Sequence, residues 1–364
     1  MATTFIPLSG FLGAGKTTWM LAAADRLKAR GLQAACIAND QGGLLIDAKS
    51  AERSGMPYGE VRGGCFCCKF DELTDTVNVL LAANRPDVVL AEAVGSCTDL
   101  AATVVRPLLA LHGDRVRPRP VTSIIDPRRL EELYGGGSRF TPEIDYIFRK
   151  QLEEASFLLL NKVDTLAAPR AEALLERLRL DYPKAFVAGV SARTGEGVDA
   201  WLDAALAADA SRGAALDIDY DVYAAGEAQL GWLNLSCDVG GRGFDAPTVC
   251  AALMAALREA FAEAGAEIAH LKLWAQDAAH ALRMNAVRGD EPAVSDGTAP
   301  SWRTDRAAVW INARAKADET ALERGALRGL ERIADAFGLD VAIRELECFA
   351  PARPVPTHRM EART

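Results

Sequence analysis

Three of the eight cysteines in this chain stand within four consecutive positions, in the run Gly64-Cys65-Phe66-Cys67-Cys68. Thiols this close are too crowded to form ordinary disulfides with one another, so the cluster indicates metal or redox chemistry. A redox interpretation would use Cys65 and Cys68 as a C-x-x-C pair, but no thioredoxin-like pattern surrounds them. The cluster is therefore a candidate site with a metal as the favoured occupant.

A second candidate site lies near the start of the chain, where "GFLGAGKT" follows a predicted strand and opens a predicted helix. This context and the G-x-x-x-x-G-K-[ST] spacing predict a phosphate-binding loop. Lys16 would neutralise the β- and γ-phosphates, and the Thr17 hydroxyl would ligate Mg²⁺. The expected nucleotide-binding positions are Gly10, Gly13, Ala14, Gly15, Lys16, Thr17 and Thr18.

The letters "NKVD" end a strong predicted strand and fit the N-K-x-D signature of guanine binding. The aspartate, Asp164, can accept hydrogen bonds from guanine N1–H and N2–H, a pair of donors that adenine does not offer. A following "SA" closes another predicted strand, where a second guanine-contacting loop is expected. We therefore predict GTP rather than ATP. The expected base contacts are Asn161, Lys162, Asp164, Ser191 and Ala192.

Two carboxylates end predicted strands between these motifs, Asp40 after the second strand and Glu92 after the third. Strand ends in this kind of fold point at the nucleotide, so each carboxylate would hold Mg²⁺ directly or orient a water. A simple loop cap is a stronger alternative for Asp40 than for Glu92, because a carboxylate inside an apolar strand end needs a partner. The expected catalytic residues are Lys16, Thr17, Asp40 and Glu92.

The elements that must position these residues alternate between short apolar strands and helix-length segments. Strands are predicted at 3–8, 33–40, 87–95, 121–126, 155–164 and 185–192. Near-continuous apolar strands separated by helices predict a doubly wound parallel α/β domain of the P-loop GTPase type over residues 1–207. The loop that carries the cysteine run, residues 64–68 and here called the cysteine loop, falls between the second and third of these strands.

The remaining sequence predicts a linker at 208–229, which is small and acidic, followed by a smaller α+β domain at 230–350. Two strand–helix–strand passes around one antiparallel sheet suggest a ferredoxin-like arrangement. The last residues, 351–364, are expected to form an extended or mobile tail.

Composition and charge exclude several functions. The formal net charge is −9, which argues against broad nucleic-acid binding, because that requires a basic face. The basic stretch at 112–120 is predicted to be a solvated loop. No secretory signal and no apolar run long enough to span a membrane are evident. We therefore expect a cytoplasmic protein, in which thiols stay reduced.

The order of the motifs resembles that of the CobW-type GTPases, which are relatives of the nickel chaperones UreG and HypB. The resemblance rests on "GFLGAGKTT", "GGCFCC", "EAVG" and "NKVD", and it covers the first domain. It implies a GTP-hydrolysing metallochaperone in which Cys65, Cys67 and Cys68 bind Zn²⁺ or Co²⁺ and pass the metal to a client protein in a nucleotide-gated way. Three thiolates from one loop suit these metals and leave one coordination position open.

The sequence departs from the family pattern after the third strand, where it runs "GSCTDL". Cys97 would supply a fourth thiolate there or be a small buried residue. His358, in the tail, would fold back over the site or dock a client. The resemblance also allows a nucleotide-dependent homodimer, which no residue of the sequence indicates.

Three alternatives to this function remain open. The first is a GTPase chaperone that loads or activates a corrinoid- or nitrile-hydratase-type enzyme, with the cysteines sensory or structural. The second is a P-loop kinase acting on a small metabolite, against which "NKVD" argues. The third is a binding module that does not turn GTP over.

Overall fold

The computed structural model describes residues 2–40, 55–210, 216–289, 293–296 and 301–361, except for the side chains of Asp40 and Asp296. Within these ranges the chain divides into two compact units. The first contains residues up to 226 and also 354–361, and the second contains 227–353. The C-terminal residues, predicted as a separate tail, therefore group with the first unit.

The first unit is a parallel sheet with helices between its strands. Its described strands are β1 (Thr3–Ser9), β2 (Ala34–Asp40), β3 (Tyr58–Arg62), β4 (Val88–Glu92), β5 (Val116–Pro118), β6 (Thr122–Ile125), β7 (Phe157–Leu160) and β8 (Phe186–Gly189). They follow the order β3-β2-β4-β1-β6-β7-β8, with β5 paired to β1. Every described pairing is parallel, as the doubly wound prediction requires.

The described helices of this unit connect successive strands. They are α1 (Lys16–Ala29), α2 (Phe70–Asn84), α3 (Arg106–His112, after a π-helical turn at Ala101–Val105), α4 (Pro127–Gly135), α5 (Pro142–Glu154), α6 (Ala168–Asp181), α7 (Val198–Ala207) and α8 (Tyr220–Ala228). Trp19 of α1 and Trp201 of α7 are fully buried, with ring centroids 5.4 Å apart. Their contact belongs to a core that also contains Ile6 and Leu8 of β1.

The structure corrects the sequence analysis at two strands. The stretch 112–120, predicted as a solvated loop, contains the strand β5. The edge strand β3 was not predicted, because its residues "YGEVR" are mostly half-buried and show no apolar run. The cysteine loop therefore follows an edge strand instead of lying in a long connection between β2 and β4.

The second unit is an antiparallel sheet with two long helices. Its described elements are β9 (Leu230–Asp245), α9 (Ala246–Glu263), β10 (Glu267–Gln276), β11 (Ala281–Ala286), β12 (Val294–Asp296), β13 (Arg303–Lys316), α10 (Glu319–Phe337) and β14 (Asp340–Phe349). The sheet order is β12-β11-β10-β13-β9-β14. Without β11 and β12, the strand order is that of a ferredoxin-like βαββαβ unit, which confirms the predicted class.

Two aspartates begin the long helices of the second unit. Asp245 accepts a hydrogen bond from the Thr248 N–H at 3.1 Å, and Asp318 accepts one from the Ala321 N–H at 2.7 Å. Such N-caps satisfy backbone donors that a helix leaves unpaired. The range predicted as a linker, 208–229, includes α8, and its residues 211–215 lie outside the described ranges. No helix in the described part of the chain is long and apolar enough to cross a membrane.

Candidate nucleotide and metal sites

The loop between β1 and α1 has the backbone of a phosphate-binding loop. Gly10, Gly13 and Gly15 adopt positive φ angles of 134°, 77° and 95°. A Cβ atom on Gly10 would lie 2.2 Å from the carbonyl oxygen of Ile124, so no larger residue fits there without a shift of the backbone. The glycines that the motif requires are therefore required by the local geometry as well.

The reactive side chains of this loop are buried together. The Lys16 ammonium donates to the carbonyl oxygen of Gly10 at 2.8 Å, and the Thr17 hydroxyl donates to Glu92 Oε1 at 3.1 Å. Lys16, Thr17 and Glu92 are each less than a tenth exposed. A hydroxyl and a carboxylate are oxygen ligands of the kind Mg²⁺ prefers, so these residues fit the predicted metal. The side chain of Asp40, the other predicted ligand, lies outside the described part of the structure.

The "NKVD" loop is bonded directly to the phosphate-binding loop. Asn161 donates from Nδ2 to the carbonyl oxygen of Ala14 at 2.9 Å, and its Oδ1 accepts from the Ala192 N–H at 2.9 Å. Lys162 donates to the carbonyl oxygen of Gly13 at 2.8 Å. Residues more than 140 positions apart are thus brought to one end of the sheet.

The predicted base contacts lie at the outer side of the same loops. Asp164 forms an ion pair with Arg193, and its side chain is 13% exposed. Ser191 accepts from the Thr194 N–H at 3.2 Å through its hydroxyl. The Asp164 carboxylate, which was predicted to accept hydrogen bonds from guanine, is therefore paired with the Arg193 guanidinium in this structure.

Asp126, for which the sequence predicted no role, connects the two nucleotide loops. It caps α4 by accepting from the Arg128 N–H at 2.9 Å, and it pairs with Lys162 at 2.5 Å. Burial raises the pKa of Asp126, but the charge of Lys162 and the capping N–H groups outweigh burial, so the pKa is lowered overall. An aspartate followed by proline after an apolar strand is the sequence signal for such a cap.

The three clustered cysteines converge on one point. The Cys65 sulfur lies 2.7 Å from that of Cys67 and 3.2 Å from that of Cys68, and the last two are 3.7 Å apart. Cys65 and Cys67 are buried and Cys68 is half-buried. In the part of the chain that the structure describes, this is the single group of three His, Cys, Asp or Glu ligand atoms close enough to hold a metal ion.

Asn39 of β2 holds the cysteine loop in place. Its Nδ2 donates to the carbonyl oxygens of Val61 at 3.1 Å and Gly64 at 2.7 Å, and its Oδ1 accepts from the Phe66 N–H at 2.8 Å. No role for this side chain was predicted from the sequence. It is buried, and it stands next to the predicted Mg²⁺ ligand Asp40 in the chain.

The titration of the thiols is set by their mutual contacts. Hydrogen bonds with the thiols of Cys67, Cys68 and Cys97 hold the pKa of Cys65 well below its usual range. The contact with Cys65 raises the pKa of Cys67, and it raises that of Cys68 to about 11. The cluster thus favours one thiolate, on Cys65, and a bound metal would displace the remaining protons.

The C-terminal segment 354–361 covers the cysteine loop. The Val355 N–H donates to the Cys68 sulfur at 3.2 Å, and the Thr357 N–H donates to the carbonyl oxygen of Cys67 at 2.8 Å. The His358 ring contacts the Phe70 ring edge-on at 5.0 Å. His358 is therefore placed on an aromatic ring and not within the group of metal-ligand atoms.

A buried carboxylate anchors this segment. Asp99 Oδ2 accepts from Arg359 Nε and from the Tyr220 hydroxyl, each at 2.8 Å. Met360 donates through its N–H to the carbonyl oxygen of Ala102 at 2.9 Å. Asp99 has a positive φ of 63°, a backbone conformation uncommon outside glycine, and it is almost fully buried. The segment is thus an ordered part of the first unit.

Comparison with known proteins decides the family. The description "CobW/HypB/UreG, nucleotide-binding domain" matches residues 4–186, which is half of the chain. The chain belongs to the CobW/HypB/UreG family. Its phosphate-binding loop, cysteine loop and "NKVD" loop all lie within the matched residues, so the family resemblance inferred from the sequence is confirmed.

Individual relatives of this CobW/HypB/UreG protein are distant. The zinc chaperone YeiR of Escherichia coli is 31% identical over 177 residues, 47% of this chain and 49% of that protein. The zinc chaperone CobW of Pseudomonas aeruginosa is 29% identical over 226 residues, 52% of this chain and 56% of that protein. The chain thus spans about half the length of the curated relatives it matches.

Two of the solved structures that the comparison finds contain a bound metal. HypB from Helicobacter pylori, in complex with nickel, is 12% identical, with a TM-score of 0.42 over 56% of this chain and 86% of that one. The Zn(II)-bound YjiA GTPase from E. coli is 16% identical, with a TM-score of 0.34 over 91% of this chain and 99% of that one.

Proposed function

We propose that this protein is a GTP-hydrolysing metallochaperone, which binds Zn²⁺ or Co²⁺ at Cys65, Cys67 and Cys68 and transfers it to a client protein under nucleotide control. One observation carries this proposal. β4 ends at Glu92, which accepts a hydrogen bond from Thr17 of the phosphate-binding loop and stands opposite Ala38 of β2. The next residue of β2, Asn39, bonds to Gly64 and Phe66 of the cysteine loop. A change at the phosphates would therefore reach the thiols through two neighbouring strand ends.

The nucleotide-binding side supports slow hydrolysis. Lys16 now donates to carbonyl oxygens of its own loop, and phosphate oxygens would take their place. Mg²⁺, when bound beside Thr17 and Glu92, would neutralise charge that develops on the γ-phosphate. Asp40 or Glu92 would orient the attacking water, and GDP and phosphate would be the products.

GTP is the proposed nucleotide because the "NKVD" loop is fixed against the phosphate-binding loop. The bonds from Asn161 to Ala14 and to Ala192 hold the loops that carry Asp164 and Ser191. Guanine N–H groups would share or replace the Arg193 contact of Asp164. A kinase acting on a small metabolite would leave this guanine-specific pattern without a purpose.

The metal is proposed as cargo. Thiolates are preferred ligands of Zn²⁺ and compete well for Co²⁺. The names of both curated relatives, zinc chaperones, favour zinc. The proposal also includes a client metalloprotein, a cytoplasmic location and a nucleotide-dependent homodimer. It further includes separate domains at 1–207 and 230–350.

The test is a competitive titration of Zn²⁺ and Co²⁺ into the reduced full-length protein, with Mg²⁺ and either GDP or a non-hydrolysable GTP analogue. We expect the metal affinity to differ at least about tenfold between the two nucleotides, which is about 1.4 kcal/mol of coupling. A Cys65/Cys67/Cys68→Ser triple variant should lose this binding. A Cys36→Ser variant is the matched control, because Cys36 is buried in the core of the same sheet.

Two results would contradict the proposal. Equal metal affinity with both nucleotides would show that the nucleotide does not control metal binding, and the cysteines would then be a structural or sensory element. Undiminished binding by the triple variant would show that Cys65, Cys67 and Cys68 are not the metal ligands.

A further inference from the structure

We propose that the surface beneath the C-terminal segment 354–361 is where the client protein docks, by inserting an extended segment of its own that carries an arginine. The chain's own segment would be the resident occupant that the client displaces. This inference rests on the proposed function, since the client receives the same metal. The surface, here called the docking surface, comprises the cysteine loop, Phe70 and residues 99–106, all in the first unit.

The first observation is that the C-terminal segment lies on this surface in the manner of a bound peptide. It forms no helix or strand of its own. Its main chain donates to the cysteine loop from Val355 and Thr357. At Met360 it donates to the carbonyl oxygen of Ala102 and accepts from Arg106 at 2.9 Å. Such main-chain bonds accept many sequences, so a segment of a client could form the same ones.

Exposure alternates along the segment, as in an extended peptide that presents every second residue to its receptor. Pro354 is buried, and Pro356, His358 and Met360 are half-buried, while the residues between them are more exposed. Proline restricts the backbone before docking, so less conformational entropy is lost when the segment is ordered. The docking surface therefore recognises an extended, partly pre-ordered segment.

The second observation is a buried carboxylate whose capacity is only partly used. Asp99 is almost fully buried, and Arg359 donates to its Oδ2 through Nε at 2.8 Å. The Nη2 of Arg359 donates instead to the carbonyl oxygen of Leu216. Asp99 Oδ1 is buried and has no hydrogen-bond partner within the described residues. Because a guanidinium that contacts both carboxylate oxygens binds more strongly, a client arginine could displace Arg359.

The third observation is that the segment stands between the cysteines and an acceptor of the metal. Cys65 and Cys67 are 3% and 1% exposed, and the half-buried Cys68 accepts from the Val355 N–H. A client must bring its own ligands to the metal, so the residues that cover Cys68 have to move. Exchange of the two segments would uncover Cys68 and place client ligands beside it in one step.

The attachment of the resident segment is weak enough for such an exchange. The side chain of Arg359, which forms its one described ion pair to the docking surface, is 32% exposed. Val355 and Thr357 are exposed as well. Release of the segment would therefore leave the apolar core of the sheet intact.

The first test uses a synthetic peptide of residues 354–361 as the probe, with the full-length protein free of metal and nucleotide. The Arg359→Ala protein should bind this peptide at least about tenfold more tightly than the wild type does, because its resident segment is loosened. The same peptide with Arg359→Ala should bind that variant at least about tenfold more weakly. Arg242→Ala, at an exposed position of the second unit, is the matched control and should behave as the wild type.

A second peptide tests whether docking delivers the metal. It carries Cys-Gly-Gly-Cys in front of Pro354 and is mixed with the zinc-loaded full-length protein. We expect zinc to reach it at least about tenfold faster than it reaches the same peptide with Arg359→Ala, because docking raises the effective concentration of the acceptor thiols. Asp99→Asn in the protein should abolish this difference, and GDP binding should confirm that the variant is folded.

The outcomes separate this inference from the proposed function. Equal binding of the first peptide and its alanine version, or equal rates of zinc transfer, would overturn the docking surface and leave the three-cysteine site intact. A wild-type dimer, without nucleotide, that the first peptide dissociates would assign the surface to a second copy of the chain and overturn the client. Metal binding that survives the Cys65/Cys67/Cys68→Ser variant would instead overturn the proposed function.

Discussion

The phosphate-binding loop and the cysteine loop occupy the same parallel sheet, yet they are held by different means. The phosphate-binding loop is shaped by its own glycines and fixed by Asn161 and Lys162. The cysteine loop follows an edge strand and is fixed by one buried side chain, Asn39, and by the C-terminal segment 354–361. The phosphate-binding loop therefore takes its shape from its own backbone and is fixed by distant side chains, whereas the cysteine loop depends on one side chain of the neighbouring strand and on the C-terminal segment.

The largest expected effect comes from replacing Lys16, which should impair the nucleotide site and leave the cysteine site unchanged. Lys16→Ala should lower the rate of GTP hydrolysis at least about a hundredfold, because no other described side chain of this loop offers a cation to the phosphates. Zinc affinity without nucleotide should stay unchanged. The measurement is phosphate release together with a zinc titration, and Lys28→Ala, at an exposed position of α1, is the control. Full hydrolysis by Lys16→Ala would show that this loop is not the catalytic one.

The next effect tests how far the phosphate-binding loop depends on its backbone. Gly10→Ala should cost about 2–4 kcal/mol of unfolding free energy, because the new Cβ would meet the Ile124 carbonyl oxygen at 2.2 Å. Gly137→Ala is the matched control, since nothing lies within 4 Å of its Cβ position. Urea denaturation measures both variants. Equal stabilities would show that the loop relaxes to accept a Cβ atom at position 10 and does not depend on its glycine backbone.

Two buried asparagines, Asn39 and Asn161, each support one of the two sites, so their replacement should have opposite effects on metal and nucleotide affinity. Asn39→Ala should lower zinc affinity about tenfold and leave nucleotide affinity unchanged, because it removes two hydrogen bonds to the cysteine loop and one to Val61 of β3. Asn161→Ala should do the reverse, since its bonds join the "NKVD" loop to the phosphate-binding loop. Each should cost about 1–3 kcal/mol of unfolding free energy.

Calorimetric titration of each asparagine variant with GDP and with Zn²⁺ gives the four affinities needed. A loss of both affinities in both variants would show that the two sites are coupled more tightly than the hydrogen bonds indicate. It would also argue against separate means of support.

The smallest expected effect concerns the C-terminal segment. Deletion of 354–364 should speed the dissociation of Zn²⁺ about fivefold, because the Val355 N–H to Cys68 sulfur bond is lost and one such bond contributes about 1 kcal/mol. Hydrolysis of GTP without metal should not change. Stopped-flow transfer of zinc to a chelator measures the rate, and deletion of 362–364 alone is the control. An unchanged rate would mean that the segment covers the site without stabilising it.

Much of the first site could be predicted from local sequence. The runs "GFLGAGKT" and "NKVD" are consecutive residues whose spacing is set by the ligand, so a motif is sufficient to find Lys16 and Asn161. The parallel sheet could also be predicted, because the alternation of apolar strands and helices is a local pattern too. Asp126 was missed because its partner, Lys162, is 36 residues away in the chain.

Less of the second site could be predicted. The three cysteines are adjacent and therefore visible, but Asn39 lies 25 residues before the Gly64 carbonyl it binds, and Val355 lies 287 residues after Cys68. No periodic pattern encodes contacts of that range. The strand β3 was missed because it is a half-buried edge strand.

The position of the C-terminal segment has a practical consequence for handling the protein. Three residues would separate Glu361 from a polyhistidine tag fused behind residue 364. Glu361 ends the described part of the segment whose Val355 N–H donates to the Cys68 sulfur. Imidazoles brought that close would compete for Zn²⁺ and Co²⁺ or add ligands of their own. Metal affinities measured on such a fusion would describe the tag as well as the cysteines, and a tag that is cleaved off before titration avoids this.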